Sequence, residues 1–263
     1  MKKYKSIKPS LAEVNSWSLN EVLIPRNMVA MSALVSSEAL DNYRKKHATD
    51  EGLSPSYTAL ILKAVYGVLK KYPEANRAII GPPFFKKIIH FNSYDINVAV
   101  EKDLPNIPGQ AYAPTIRNVD TKSVLEITKE LKFYAQCTEA NDRHYSLFMR
   151  ILRYTPWPFA KWIISLPYWI PSLWQQHKGG ACWVNSPSKT GPDLAITAWP
   201  WPITFSFGVI KKRALVIDDE VKAVNTIPLI ISFDRRLMGG GPAGRIFSEF
   251  KRIVEEADPS IYN

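Results

Sequence analysis

The sequence predicts a two-layer α/β sandwich, and three observations lead to this fold class. Short apolar runs typical of strands are interleaved with a few long amphipathic helices, an order that favours a sheet covered by helices. Hydrophobic residues make up 46% of the 263 residues, which is enough for a continuous core. No repeat or low-complexity linker interrupts the chain. We therefore expect one domain over residues 1–263.

The first half of the chain predicts two helices and three strands. Residues 28–35 form an apolar, strand-like run, and a short helix is expected at 37–47. The apolar side chains of residues 56–72 recur at helical spacing, and Pro73 ends this helix because proline cannot continue it. Residues 86–101 contain two apolar runs, the second of them alternating, and these runs predict two strands.

The second half predicts two further helices and three strands. Residues 121–140 carry their apolar side chains on one stripe, which indicates an amphipathic helix, and a closing helix is expected at 243–256. Strands are expected at 182–184, 203–210 and 229–233.

Residues 145–176 form an apolar insertion that does not fit a plain sandwich, because they contain four of the eight tryptophans together with four prolines. Their uninterrupted apolar stretches are shorter than the ~20 residues that a membrane-spanning helix needs. Arg150, Arg153 and Lys161 among aromatic residues indicate short amphipathic helices at an interface. Two interpretations stay open: a helical hairpin packed on its own domain or on a neighbouring subunit, and a surface that contacts lipid.

The chain carries a formal net charge of +10. Its basic residues are scattered and match no nucleic-acid-binding signature, so we expect no nucleic-acid partner. A phosphate-rich cofactor, an anionic membrane surface and a solvated basic surface stay open as explanations. The sequence shows no disulfide framework, signal peptide or metal-binding pattern. We therefore expect a cytoplasmic protein without a metal, with the inner face of the membrane as an alternative position.

Three stretches carry a resemblance to a known family. KAVYGVLKKYPEAN at 63–76, PTIRNVDTKSVLEITKEL at 114–131 and ISFDRRLMGGGPAGRIF at 231–247 resemble, in this order, segments of the catalytic domain of 2-oxoacid dehydrogenase acyltransferases and of chloramphenicol acetyltransferase. The resemblance implies a sandwich of the chloramphenicol acetyltransferase type with a mixed sheet, to which the aromatic-rich helical insertion is added. Because no lipoyl or subunit-binding domain is recognised, we expect a free-standing member.

The family's catalytic motif is degenerate in this chain. The resemblance implies a histidine base at the position of Arg235 and an aspartate at the position of Gly239, within a motif that here comprises Asp234, Arg235, Arg236, Gly239 and Gly240. Arginine stays protonated at any working pH and cannot act as a general base. Loss of such a base typically costs about 10²- to 10⁴-fold in rate. We expect Arg235 to face the cavity where a thioester and its acceptor meet.

Three residues are candidates for a remaining catalytic role. The resemblance aligns Asn185 with a serine that donates to the tetrahedral intermediate, and Ser186 follows it. An asparagine amide can also donate to an oxyanion, although an Asn-Ser-Pro sequence is equally typical of a turn. His177 is a candidate base, and the alternative is a structural histidine.

These observations predict two functions. The first is thioester-dependent acyl transfer, from coenzyme A or an acyl carrier, to a hydrophobic acceptor at a non-standard site. The second is a non-catalytic pseudoenzyme that stabilises or regulates an active partner, or binds an acyl-carrier protein. The resemblance implies a homotrimer or a mixed oligomer with a paralogue, with sites shared between subunits. We expect coenzyme A or a carrier thioester as co-substrate and no tightly bound cofactor.

Overall fold

The computed structural model describes residues 9–23, 27–82, 84–104, 107–157, 159–188, 191–197, 199–217 and 219–262. The described strands are β1 (Met28–Ser36), β2 (Arg77–Ile80), β3 (Lys87–His90), β4 (Ile96–Val98), β5 (Val100–Leu104), β6 (Ile107–Tyr112), β7 (Thr115–Ile116), β8 (Cys182–Asn185), β9 (Ile203–Phe207), β10 (Lys211–Ile217) and β11 (Glu220–Asp234). The described α-helices are α1 (Leu11–Leu23), α2 (Glu38–Lys46), α3 (Tyr57–Lys71), α4 (Val124–Gln136), α5 (Arg143–Tyr154), α6 (Phe159–Ser165), α7 (Pro171–Lys178), α8 (Gly240–Glu256) and α9 (Pro259–Tyr262).

Seven strands form the central sheet. Their order is β1-β11-β9-β8-β4-β7, and β10 pairs with β11 beside this path. The β8 strand runs parallel to both β4 and β9, whereas β11 is antiparallel to β1, β9 and β10. The sheet is therefore mixed, as the sequence predicts. Two smaller sheets pair β2 with β3 and β5 with β6.

Helices α3 and α8 cover one face of the sheet. Phe205 of β9 contacts Phe250 of α8, with ring centroids 4.9 Å apart. The neighbours of Phe205 in register, Val184 and Ile231, share its face, because paired residues on adjacent strands point the same way. All these side chains are buried in one apolar core. The two layers of the predicted sandwich are this sheet and these helices.

Local signals explain why the predicted helices form. Ser56 caps α3, and its side chain accepts a hydrogen bond from the backbone of Ala59. Ser123 and Glu126 form a capping box that fixes the start of α4, so this helix begins at Val124 and not at residue 121. The helix also ends four residues earlier than predicted, at Gln136.

Several elements differ from the sequence-based prediction. The β11 strand covers Glu220–Asp234 and not only residues 229–233, because its first part pairs with β10 in a hairpin. The sequence pattern missed β10 because Lys211, Lys212 and Arg213 interrupt its apolar alternation. The α1 helix was not predicted either.

The insertion at 145–176 folds into short helices, as the sequence predicts. It includes most of α5, all of α6 and most of α7, with one 3₁₀ turn at Leu166–Tyr168 between the last two. Prolines lie at the start of α7 and within this turn, where a missing backbone N–H is tolerated. Among the described residues, none of the helices is both long enough and apolar enough to cross a membrane.

Candidate functional site

The face of the sheet that points away from α3 and α8 carries polar side chains. Trp183 of β8 has Asn97 of β4 and Thr204 of β9 as its neighbours in register, and all three side chains are buried. Within the described part of the chain, Asn97 Oδ1, Trp183 Nε1 and Thr204 Oγ1 are buried without a hydrogen-bond partner. Buried polar atoms normally have partners, so a row of unpaired ones marks this face for further contacts.

A cavity of about 510 Å³ lies on this face, beneath the insertion. Its size is within the range of about 300–1,000 Å³ that is typical of small-molecule sites. Helices α5, α6 and α7 form its outer wall, and Trp183, Trp199 and Trp201 form the wall towards the sheet. The Trp183 ring centroid lies 5.1 Å from that of Trp199 and 4.4 Å from that of Trp201, so the three indoles make one continuous aromatic surface.

The polar groups of the cavity are gathered near the end of α7. His177 and Lys178 line the cavity together with His144 of α5 and Arg117. The rings of His144 and His177 are 5.8 Å apart, edge to face. No aspartate or glutamate is found among the lining residues that the structure describes. The cavity therefore combines an apolar body with a cluster of basic side chains, of which Arg117 and Lys178 are cationic.

Burial changes the protonation of two of these groups. It lowers the pKa of His177, and the nearby charges of His144, Lys178 and Arg117 lower it further. Burial also lowers the pKa of Lys178 to about 8. His177 is consequently held in the neutral form at pH 7, which is the form that can accept a proton.

The connection between α7 and β8 is fixed by close packing. Gly179 has a φ of +64°, and a Cβ there would lie 2.9 Å from Asn97 Oδ1, so only glycine fits. The Trp201 indole donates a hydrogen bond of 2.8 Å to the Lys178 carbonyl. Arg117 donates to the carbonyls of Gln175 and Gln176 at 2.7 and 2.6 Å, and pairs with Asp95 at 2.9 Å. These contacts hold His177 and Lys178 against the cavity.

Asn185 is the last residue of β8, two positions after Trp183, and its side chain therefore points to the same face of the sheet. It is half-buried, and no residue in the described ranges hydrogen-bonds its side-chain amide. Ser186 behaves differently, because its Oγ lies 2.8 Å from Ser188 Oγ and 3.2 Å from the Phe207 carbonyl. Ser186 thus takes part in the turn, whereas the Asn185 amide has free donors.

The motif at Asp234–Gly240 lies at the end of β11. Arg236 binds the buried Asp234 carboxylate through two nitrogens, with Nη2 2.6 Å and Nε 3.1 Å from Oδ2. This hydrogen bonding raises the pKa of Arg236. Arg235 is exposed, and a Cβ on Gly240 would lie 3.9 Å from its Nη1, so its guanidinium lies near the start of α8. Gly239 caps this helix with an ordinary φ of −81°.

Within one chain, Asn185 and Arg235 lie at opposite ends of the sheet. Asn185 pairs with Ser206, which pairs with Ile230, five residues before Arg235. At roughly 3.3 Å per residue, this places the two about 16 Å apart along the strands. Arg235 is also absent from the described lining of the cavity. That Arg235 faces a site between subunits stays a prediction about an assembly.

Of the three predicted catalytic residues, only His177 lines the cavity, and Asn185 and Ser186 are absent from its described lining. Trp183, Lys178 and the pairing of His144 with His177 were not predicted as parts of one cavity. The available signal was the HKGG segment directly before β8, where a cation and a histidine precede two glycines. Cys182, in contrast, points to the helical layer, and burial raises its thiol pKa, which is unsuitable for a nucleophile.

Comparison with known proteins finds sequence similarity to one family. The sequence model described as "2-oxoacid dehydrogenases acyltransferase (catalytic domain)" matches residues 17–146. The acetyltransferase component of the Bacillus subtilis pyruvate dehydrogenase complex is 24% identical over 82% of this chain and 41% of its own length. The lipoamide acyltransferase component of the B. subtilis branched-chain alpha-keto acid dehydrogenase complex is 25% identical over 98% of this chain and 51% of its own. The chain thus spans about half or less of the length of these relatives.

Solved structures agree on the fold. A probable dihydrolipoamide acetyltransferase from Listeria monocytogenes has a TM-score of 0.66 at 23% identity, covering 98% of this chain and 97% of its own. An Azotobacter vinelandii dihydrolipoamide acetyltransferase, studied for the catalytic roles of a serine, a histidine and an asparagine, reaches 0.69 at 19% identity, covering 97% and 93%. Chloramphenicol acetyltransferase reaches 0.51 at 13% identity, covering 97% and 99%.

The fold is therefore that of the chloramphenicol acetyltransferase class. Within that class, the chain is similar in sequence to the acyltransferase catalytic domains of 2-oxoacid dehydrogenases, and the predicted resemblance is confirmed. The matched region includes the stretches at 63–76 and 114–131, and it ends at residue 146, at the start of the insertion and well before the motif at 234–240.

Proposed function

We propose that the chain transfers an acyl group from a thioester of coenzyme A or of an acyl carrier to a hydrophobic acceptor. The observation that carries this proposal is the aromatic cavity, which lies on the same face of the sheet as the free Asn185 amide. Two similar proteins are named as the acetyltransferase component and the lipoamide acyltransferase component of dehydrogenase complexes, and these names support acyl transfer.

In the proposed reaction, His177 accepts the proton of the acceptor's hydroxyl or amine. The acceptor's lone pair then attacks the thioester carbonyl carbon, and the carbonyl oxygen becomes an oxyanion to which Asn185 of a neighbouring copy donates, because within one chain His177 and Asn185 lie at opposite ends of β8. When the tetrahedral intermediate collapses, the carbon–sulfur bond breaks and the thiolate takes the proton back from His177. A base of this kind contributes about 10²- to 10⁴-fold in rate, and one oxyanion donor about 10²- to 10³-fold.

The proposed site replaces the histidine base that the resemblance expects at position 235. Arg235 cannot accept a proton, whereas the lowered pKa of His177 keeps its imidazole neutral at pH 7. We also propose that the chain forms a homotrimer, or a mixed oligomer with a paralogue. In such an assembly position 235 of one copy can approach Asn185 of the next, which a single chain does not allow.

Release of free thiol from acyl-CoA and acyl-carrier donors, with hydrophobic alcohols and amines as acceptors, tests the proposal. Asn185→Ala should lower the rate about 10²- to 10³-fold, because it removes the oxyanion donor. Ser186→Ala is the matched control at the neighbouring position and should change the rate little, since its hydroxyl serves the turn. No turnover with any donor, or equal rates in both variants, would refute the proposed reaction.

A non-catalytic subunit is the second candidate, and the exposed Arg235 with its glycine at 239 favours it. Such a chain would bind an acyl carrier or an active paralogue without turnover. This candidate would be supported if the chain co-purifies with an active acyltransferase and releases no free thiol in the assay. Turnover by the isolated chain would exclude it.

An anionic membrane surface is a further proposed partner for either function. Trp157, Phe159 and Trp162 expose 56, 63 and 60% of their surface on the insertion, which suits an interfacial position. Sedimentation with anionic vesicles should weaken in high salt and after Trp162→Ala. Absence of binding at low salt would refute this part.

A further inference from the structure

The cavity beneath the insertion is lined by apolar side chains and by basic groups. Its body is apolar, made by the three tryptophans and by Phe148, Leu152 and other side chains of the insertion. Its charged side chains are basic, and none of its described lining residues is acidic. Its neutral polar groups include those of Tyr112, Tyr134, Thr115 and Gln176. An occupant that matches this surface has an apolar part and a group that accepts hydrogen bonds or carries negative charge.

Two donors in the cavity lack partners. The Trp183 indole is 1% exposed, and its Nε1 has no hydrogen-bond partner in the described structure. The Lys178 ammonium lies 5.0 Å from the centroid of the Trp201 ring and, among described residues, forms neither a hydrogen bond nor an ion pair. A buried donor without a partner costs about 1–3 kcal/mol, and more if charged, so a bound acceptor would remove a penalty.

The other basic groups of the cavity are less available to pair with an anion. Arg117 is held by Asp95 and by the two carbonyls at the end of α7. His177 is neutral at pH 7 because burial lowers its pKa. Lys178 is therefore the lining group best placed to pair with an anion.

We propose that this cavity binds an apolar molecule bearing one carboxylate, with the carboxylate near Lys178 and Trp183 and the apolar part against the insertion. This inference rests on the proposed function in one respect, because it adds a carboxylate to the hydrophobic acceptor, whose hydroxyl or amine is the reacting group. Binding itself requires no turnover, so the two proposals can be tested separately.

Three probes with the same twelve-carbon chain test the head group. Dodecanoate, dodecan-1-ol and dodecylammonium are titrated into the full chain by calorimetry at pH 7, below their micelle concentrations. Dodecanoate should bind about 10-fold more tightly than the alcohol, because a charge-assisted contact replaces a neutral one. The ammonium should bind most weakly, since it would meet Lys178 and Arg117. Equal affinities of the acid and the alcohol would overturn the proposal.

Two pairs of variants locate the site. Lys178→Met keeps the apolar stem and should weaken dodecanoate about 10-fold while leaving dodecan-1-ol unchanged, and the exposed Lys132→Met is its control. Trp183→Phe should weaken both probes about fivefold by removing the indole N–H, with the exposed Trp162→Phe as control. Dodecanoate affinity that is unchanged in folded Lys178→Met, as judged by circular dichroism, would refute the assigned position.

The outcomes distinguish this inference from the proposed function. Carboxylate binding without turnover on any acceptor would refute acyl transfer and leave the cavity assignment intact. Turnover on hydrophobic alcohols or amines, combined with no preference for the carboxylate, would refute the cavity assignment and leave acyl transfer intact.

Discussion

The two faces of the central sheet differ in what they bury. Towards α3 and α8, the central strands β8, β9 and β11 present buried apolar side chains such as Val184, Phe205 and Ile231. The opposite face presents Asn97, Trp183 and Thr204, and Asn97 Oδ1, Trp183 Nε1 and Thr204 Oγ1 are buried without hydrogen-bond partners among the described residues. The first face stabilises the fold, and the second lines the cavity to which we assign ligand binding and acyl transfer. Adjacent residues of one strand can therefore have very different roles.

Truncation on the helical face should have the largest effect on stability. Phe205 is fully buried and packs on Phe250, so Phe205→Ala should lower the free energy of unfolding by about 3–5 kcal/mol. Urea unfolding followed by circular dichroism measures this loss. A loss below about 1 kcal/mol would contradict the assignment of this face to the core.

Carboxylate binding should depend on pH through Lys178. Burial places its pKa at about 8, so the ammonium is present below pH 8 and is lost as the pH rises above it. The affinity for dodecanoate should fall about 10-fold between pH 7 and pH 10, since the charge-assisted contact disappears. Calorimetric titrations across this range provide the measurement.

The titratable or charged groups that line the cavity beside Lys178 are Arg117, His144, His177, Tyr112 and Tyr134. Burial raises the pKa of Tyr134 to about 12 and that of Tyr112 as well, so neither phenol ionises in this range. Lys178→Met should give a flat profile. A decline that persists in this variant would assign the pH dependence to another group.

Removal of an unpaired hydroxyl on the second face should have the smallest effect. Thr204 follows Ile203 and precedes Phe205 in β9, and Thr204→Val keeps its shape while removing the buried Oγ1. We expect a change in unfolding free energy within about 1 kcal/mol, in either direction. A larger loss would show that this hydroxyl has a partner in solution, and the contrast between the two faces would then be weaker.

The sequence predicted the fold better than the site. Helices α3 and α4 follow from apolar periodicity and from serine caps at Ser56 and Ser123, all of which are local signals. The cavity is lined by residues as distant in sequence as Tyr112, His144 and Trp183. No local sequence pattern predicts that these residues lie close together. Asn185 was found only because the resemblance aligned it with a catalytic serine.

Position 235 shows the limit of that resemblance. The resemblance points to the end of β11, but it does not show that His144 and His177 lie together at the aromatic cavity. This pairing depends on α5 and α7, and α7 lies outside residues 17–146, which the family model matches.

The central claim is that the chemistry takes place at the aromatic cavity, with His177 as the base. Thiol-release rates of His177→Gln and Arg235→Ala, measured side by side over a range of pH, test this most directly. We predict that His177→Gln lowers the rate about 10²- to 10⁴-fold and removes its low-pH inflection, while Arg235→Ala stays within about threefold of the unmodified chain. A collapse of the rate in Arg235→Ala, with normal activity and an unchanged pH profile in His177→Gln, would contradict the account.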